Sequence, residues 1–366
     1  MKVECSTQAL KEASLTAQRF TNKQAQLEAL QGVLILVEGK TVTLRATNLE
    51  CGIEISIPGK IMDPGICAVS GGTLASLINN LPLSAKTTTL SLKGNILSVV
   101  TEKSDSNIKT IPHEDFPILP TVSGEHTFSI DTQKFSKIIR SVAFCAATSS
   151  IKPELQSILL YTDSNKLFAV ATDSFRLAEK TSQFKGGEIP HLLIPIRNAA
   201  ELIRILEMGH GGVDVYFSEN QLSVRVGEIY FTTRLINGAF PNYKQIVPKE
   251  YTTEALVLKE DLQQALKTIA IFADKYAQVT LAVEPKKKEV VLSARNVDVG
   301  EHTITIPAAC SGASTEMNFN GKYIADALQS ISGESLRLGL NGAGKPLAML
   351  TQNEGNFVYI VMPMNR

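Results

Sequence analysis

The spacing of apolar positions changes in the same order three times along the chain. Lys2-Val3-Glu4-Cys5 alternates polar and apolar, which predicts a half-buried strand. Leu10, Ala13, Ala17 and Phe20 then recur at helical spacing, behind Ser6 and Thr7, either of which can cap a helix. After a polar stretch at 21–28, strands are expected over 33–37 and 41–46 around Glu38-Gly39-Lys40, and over 52–57, with Pro58 as the stop. Ser70 precedes a second helix with Leu74, Leu77, Ile78 and Leu81 on one face, closed by Pro82. Short strands over 87–92, 96–101 and 107–111 complete the unit. A second unit begins near Gly124, with helical stripes Phe135, Ile138, Ile139, Val142 and Ala199, Leu202, Ile203, Leu206. A third carries Leu262, Leu266, Ile269, Ala270 and Ile324, Leu328, Ile331. Its last strand is expected over 357–362, with Pro363 placing that strand at an edge or ending it.

A short landmark keeps the same register. Ala171-Thr172-Asp173-Ser174-Phe175-Arg176-Leu177-Ala178 is echoed by Ala46-Thr47-Asn48-Leu49-Glu50-Cys51-Gly52 and by Ala294-Arg295-Asn296-Val297-Asp298-Val299-Gly300-Glu301. The leading alanines are 125 and 123 residues apart, the length of one ordinary domain rather than of a solenoid repeat. Second helices pass through Leu74, Ala199 and Ile324, and Phe116-Pro117 and Phe240-Pro241 mark matching joints. The fold class read from this register is α+β: three tandem repeats of a domain with two helices and antiparallel sheet, over 1–122, 123–248 and 249–366. Helices are expected on one side and sheets on the other.

Composition narrows the functions open to such a chain. Its 366 residues are 44% hydrophobic and 20% charged, with no Trp, and 36 basic residues balance 36 acidic ones. That neutrality argues against a tight, highly charged nucleic-acid binder, but not against basic residues sorted onto one surface. Cys5, Cys51, Cys67, Cys145 and Cys310 lie far apart, and no secretion signal or membrane-length apolar run is present, so the cytoplasm is the expected location. No catalytic constellation is found. Asp173 has Asn48 and Asn296 as counterparts, and an amide cannot act as a general base, so Asp173 reads as a turn residue. His113, His126, His191, His210 and His302 are scattered, and Gly342-Ala343-Gly344-Lys345-Pro346 lacks phosphate-loop spacing. Neither a metal nor a cofactor is expected. The helical windows carry ten basic residues against six acidic ones. Among the basic ones are Lys11, Arg19, Lys134, Lys137, Arg140, Arg197, Arg204, Lys267 and Lys322, a bias that acquires meaning if all six helices share one face. The rival classes are a hydrolase or transferase with an undetected site, and a structural scaffold that does not touch DNA.

The three-unit register, the landmark, Phe240-Pro241-Asn242-Tyr243 and the ending Tyr359-Ile360-Val361-Met362-Pro363-Met364 together resemble the beta subunit of bacterial DNA polymerase III, the sliding-clamp family. The resemblance covers the full length. It implies a head-to-tail homodimeric ring with helices inside, sheets outside and duplex DNA through the hole. It implies a processivity factor without catalytic residues of its own, binding DNA without regard to sequence. Partners implied are the polymerase catalytic subunit, the clamp loader, repair polymerases and mismatch-repair or ligase proteins, held through short linear motifs. Carried over by position, the peptide groove would comprise Thr172, Arg176, Leu177, Pro241, Ile246, Ile360, Val361, Met362, Pro363 and Met364. Lys23 and Lys152 join the DNA-facing set. Leu74 and Ile78 from one chain, with Ile271 and Phe272 from the other, are expected at the dimer seam. The chain departs from many relatives in carrying Ser174-Phe175 in place of Gly-His. It departs from some in Gln24, in Lys152-Pro153-Glu154, and in Gln245 and Asn365, where those relatives have arginine.

Overall fold

In the first two repeats a strand, a helix, four strands, a second helix and three strands follow one another, and the third adds one strand between its helices. The computed structural model describes residues 1–82, 84–122, 126–149, 151–352 and 355–364, so Gly124 and Asn365 lie outside the described residues. The first repeat comprises β1 (Lys2–Ser6), α1 (Thr7–Gln18), β2 (Gly32–Glu38), β3 (Thr41–Thr47), β4 (Cys51–Asp63), β5 (Gly65–Ser70), α2 (Gly71–Asn79), β6 (Thr87–Lys93), β7 (Ile96–Thr101) and β8 (Ser104–Ile111). The second comprises β9 (Thr127–Asp131), α3 (Thr132–Ala143), β10 (Ser157–Asp163), β11 (Lys166–Thr172), β12 (Arg176–Gln183), β13 (Leu192–Pro195), α4 (Ile196–Met208), β14 (Gly212–Phe217), β15 (Gln221–Val226) and β16 (Ile229–Arg234). The third comprises β17 (Thr253–Leu258), α5 (Lys259–Ile269), β18 (Gln278–Glu284), β19 (Glu289–Asn296), β20 (Gly300–Pro307), β21 (Ala309–Gly312), β22 (Thr315–Asn320), α6 (Gly321–Leu328), β23 (Ser335–Leu340), β24 (Leu347–Thr351) and β25 (Phe357–Val361). The added β21 arises because the counterpart of the long β4 is broken after Pro307. Helix starts follow local chemistry: Ser6, Ser70 and Asn320 each accept backbone N–H groups of the first turn. No helix among the described residues is long and apolar enough to cross a membrane.

The chain forms two compact units that divide the second repeat: Met1–Gln133 with Arg204–Leu235, and Lys134–Ile203 with Ile236–Arg366. In the first unit a twelve-stranded sheet runs β1-β6-β7-β8-β5-β2-β3-β4-β16-β15-β14-β9, with β1 also paired to β4. Leu10, Phe20, Ile35, Leu44, Ile53, Leu74 and Ile78 are among its fully buried side chains. This corrects the expectation that Leu74 and Ile78 lie at a dimer seam. At 0% and 1% exposure they are the inward stripe of α2 and have no surface to offer a second chain. Pro58 does not stop its strand either. It faces Thr41 at the end of the β3–β4 ladder, and from Gly59 onward β4 changes partner to β1, pairing Gly59 with Cys5. A residue without an N–H is tolerated at such an exchange of neighbours.

The second unit holds a nine-stranded sheet, β13-β10-β11-β12-β25-β24-β23-β17-β21, and a four-stranded one, β20-β19-β18-β22. The landmark forms the tip between β11 and β12. The closing strand β25 is interior, flanked by β12 and β24, and it ends at Val361 before Pro363.

Candidate functional site

The landmark is built by short polar side chains that satisfy their own backbone. Asp173 Oδ1 accepts the N–H groups of Phe175 (2.9 Å) and Arg176 (3.0 Å), and Thr172 Oγ1 donates to Arg176 O (2.7 Å). The first repeat reproduces this: Asn48 Oδ1 accepts from Glu50 and Cys51, and Thr47 Oγ1 donates to Cys51 O. Leu49 and Ser174 occupy the same left-handed position, at φ 73° and 78°. In the third repeat Asn296 Oδ1 accepts from Asp298 N. Asp173 is therefore a turn residue, as its neutral counterparts require.

Beyond the tip, β12 pairs with β25, matching Leu177 to Ile360 and Arg176 to Val361, and Met362 N donates to Phe175 O (2.8 Å). Alternation along the pleat puts Leu177 and Ile360 on one face, Arg176 and Val361 on the other. Over the first face lies the joint 236–251. Leu159, Tyr161, Val170, Leu177, Leu193, Tyr243, Ala348 and Ile360 form one core there, with Phe240 and Val247 packed against it. Above this floor opens a cavity of about 300 Å³ lined by Leu155, Thr172, Ser174, Phe175, Arg176, Leu177, Pro241, Tyr243, Ile246, Ile360 and Met362.

Seven of the ten residues expected in a groove line that cavity: Thr172, Arg176, Leu177, Pro241, Ile246, Ile360 and Met362. Three do not. Val361 is fully buried, on the opposite face of the sheet from Ile360. Pro363 and Met364 run past the cavity toward the four-stranded sheet, where Met364 N donates to Asn318 O (2.8 Å). Leu155, Ser174, Phe175 and Tyr243 were not anticipated as lining residues. Phe175 had a signal: an aromatic residue inside a three-residue tip otherwise made of Asp173 and Ser174 has no core to join, and it stands 63% exposed.

Arg176 serves the frame more than the opening. Its Nε donates to Asp173 Oδ2 (2.9 Å) and its Nη1 to Asp326 Oδ2 on α6 (2.7 Å). Its guanidinium lies 4.3 Å from the Tyr323 ring centre and 5.6 Å from that of Phe144. Burial is the largest single influence and alone would lower its pKa; the hydrogen bonds donated to Asp326 and Asp173, together with the charges of neighbouring groups, outweigh it and hold the guanidinium charged. Arg176 thus fastens the landmark to the end of α3 and to α6. Within the joint, the Tyr243 hydroxyl meets Glu179 Oε2 (2.5 Å) and the Tyr161 hydroxyl (2.7 Å). Burial, reinforced by these bonds, pushes the Tyr243 phenol well above its ordinary pKa and keeps it neutral.

Most of the basic residues expected to face DNA emerge on helix surfaces away from the buried stripes; Arg19 follows α1, and Lys23 and Lys152 lie in loops. Lys134, Lys137 and Arg140 repeat every third position on α3, across from Phe135, Ile138 and Ile139. Arg19, Lys23, Lys152, Arg197, Arg204, Lys267 and Lys322 are exposed and Lys11 is half-buried. Lys134 Nζ also donates to Gln183 O (2.7 Å). Of the residues expected at the seam, Ile271 is 64% exposed, and Phe272 is half-buried with its ring stacked on His302 at 5.2 Å.

Comparison with known proteins agrees with this geometry along the whole chain. Residues 1–120 match the N-terminal domain of DNA polymerase III beta subunits, 129–242 the central domain and 244–365 the C-terminal domain. The beta sliding clamp of Caulobacter vibrioides strain NA1000 is 27% identical over 380 residues, covering 100% of both chains. That of Bacillus subtilis strain 168 is 23% identical over 380 residues, covering 100% of this chain and 99% of its own. Among solved structures, the Thermotoga maritima beta subunit superposes with a TM-score of 0.93 at 24% identity, covering 100% of this chain and 99% of its own. The Caulobacter crescentus beta sliding clamp superposes with a TM-score of 0.94 at 25% identity, covering 100% of each.

Proposed function

The chain belongs to the DNA polymerase III beta subunit family, and on that premise we propose that two copies close into a ring around duplex DNA and hold partner proteins through the cavity beside Leu177. Its function is that of a DNA sliding clamp, a DNA-binding processivity factor.

The observation that carries ring closure is a seam made twice within the chain. The strand after the landmark in one repeat pairs antiparallel with the last strand of the next: β4 with β16, then β12 with β25. The same rule leaves two strands over. β20, the strand after the third landmark, pairs among the described residues on one side only, with β19. β8, the last strand of the first repeat, pairs with β7 from Ser104 to Lys109 but touches β5 only through Thr110 and Ile111. Open edges of this kind are normally covered. Pairing β20 of one copy with β8 of another completes the rule, and two copies give two identical seams between unlike surfaces. Ile271 and Phe272 support this placement, since the Phe272 ring approaches Gly300 at the start of β20. Sedimentation at micromolar concentration is expected to report two chains for the parent and one for Ile271→Asp. A parent that stays monomeric at high concentration contradicts closure.

Within such a ring, lysines and arginines on the helices would meet phosphates without reading bases, so retention comes from topology. The cavity suits an extended peptide with one or two large apolar side chains, each worth roughly 1.5–3 kcal/mol on burial. After ordering costs, affinity falls on the order of micromolar per motif, which allows exchange among polymerase, clamp loader, repair polymerases, and mismatch-repair or ligase proteins.

A further inference from the structure

The two seams inside the chain share a ladder, a turn and a closing hydrogen bond, but differ in what the joint does. Arg234 N donates to Glu50 O at 2.8 Å in the first seam, as Met362 N donates to Phe175 O in the second. Gly52 pairs with Thr232 where Leu177 pairs with Ile360. Each joint crosses above, with Leu119 following Phe116-Pro117 as Tyr243 follows Phe240-Pro241. In the first seam the joint lies down on the strand. A Cβ built on Gly52 would stand 2.4 Å from Leu119 Cδ2, so Leu119 occupies the space that Leu177 fills in the second seam. In the second seam Leu177 fills that space itself, and the joint packs over it through Tyr243. Tyr243 reaches past Leu177 to Glu179, two residues along β12 and on the same face, and to Tyr161 on β10. With the single Tyr243 proton given to Glu179, Tyr161 donates to the Tyr243 oxygen. Leu119 has no hydroxyl with which to make such a tie.

We propose that the Tyr161–Tyr243–Glu179 hydroxyl chain is a positioning element that fixes the joint over β12 and keeps the Leu177 cavity open for a peptide. It explains from the chain's own internal repeat why this seam carries an open cavity with Leu177 on its floor. Tyr243 and Tyr161 are both buried, at 4% and 5% exposure, so their hydroxyls depend on one another and on Glu179 rather than on bulk water. The proposal rests on the reading of the cavity as the peptide groove, and its test separates the two. The measurement is fluorescence anisotropy of a fluorescein-labelled peptide carrying the clamp-binding segment of the replicative polymerase, titrated with the full-length chain. Leu177→Lys tests the groove itself. Tyr243→Phe removes one oxygen and retains the ring; it is expected to weaken the peptide about five- to tenfold. Glu179→Gln retains an acceptor and is expected to bind within about twofold of the parent, whereas Glu179→Leu is expected to match Tyr243→Phe. The double variant Tyr243→Phe/Glu179→Leu is expected to lose no more than either single change, because both break one tie. A merely structural loss would add, and would not be rescued by Glu179→Gln. If Leu177→Lys abolishes binding while Tyr243→Phe binds as the parent does, the positioning role is wrong and the groove stands. If Leu177→Lys binds as the parent does, the groove reading fails and this proposal with it.

Discussion

Single residues in this chain hold their ionisation states through burial. Burial pushes the Cys5 and Cys67 thiols up from the ordinary 9.0 to about 12, with the charge of Glu4 adding to the effect at Cys5. A folded-state pKa above the unfolded one favours the protonated form. The stability contributed is therefore complete below pH 9.0 and is lost as pH rises through about 12. Each thiol is expected to cost about 1.4 kcal/mol per pH unit within that window. Urea unfolding at pH 8, 9.5 and 11 should show a shallower loss for Cys67→Ala than for the parent; parallel curves contradict it. Arg176 is the other residue with an outsized structural role. Its side chain is 13% exposed and bridges Asp173 and Asp326, the latter 45% exposed. Lysine has no planar fork to serve both carboxylates while lying on Tyr323. Arg176→Lys is expected to cost about 1–2 kcal/mol, after discounting the solvent-screened Asp326 contact. Unchanged urea midpoints would remove Arg176 from that role.

The elements were largely legible in the sequence because their periods are clean, and the failures share a cause. Helical stripes such as Phe135, Ile138, Ile139, Val142 point inward as read. Leu74 and Ile78 were misassigned to a seam because a stripe alone does not say which apolar face is already covered. Pro58 looked like a stop because sequence does not reveal that β4 changes partner there. Pro363 marks the end of β25, one of the two placements it allowed; that β25 is interior depends on its neighbour β12, which lies far away in the chain. In the cavity, Leu177, Pro241, Ile360 and Met362 were legible from the motifs; Ser174, Phe175 and Tyr243 belong to the same motifs, but which of their side chains faces the cavity is set by the turn and the joint, and Leu155 comes from outside them. The account of this element predicts that Leu177→Lys abolishes peptide binding, since a charged head would be set on the apolar floor formed with Ile360. Removing residues 362–366 is expected to do the same, because Met362 lines the cavity and is tied to Phe175. β25 should survive that truncation, as Tyr359, Ile360 and Val361 are buried between β12 and β24. Parent-like binding by both variants would place the groove elsewhere.

At the scale of the whole molecule, three repeats supply two internal seams and, among the described residues, leave β20 at a sheet edge and most of one side of β8 unpaired, which is the basis for proposing a closed pair of chains. The overall charge is zero, yet exposed lysines and arginines recur along the helices. That combination suits a protein kept on DNA by being linked around it rather than by strong phosphate binding, which salt would weaken steeply. The direct test is retention on DNA of one topology and then another. Protein is loaded onto a circular plasmid, separated from free chains by gel filtration at moderate salt, and the plasmid is then cut once. The account predicts stable co-elution with the circle and release on linearisation, with retention restored when both ends are blocked by bulky protein. Equal retention on circular and open-ended linear DNA would contradict encirclement.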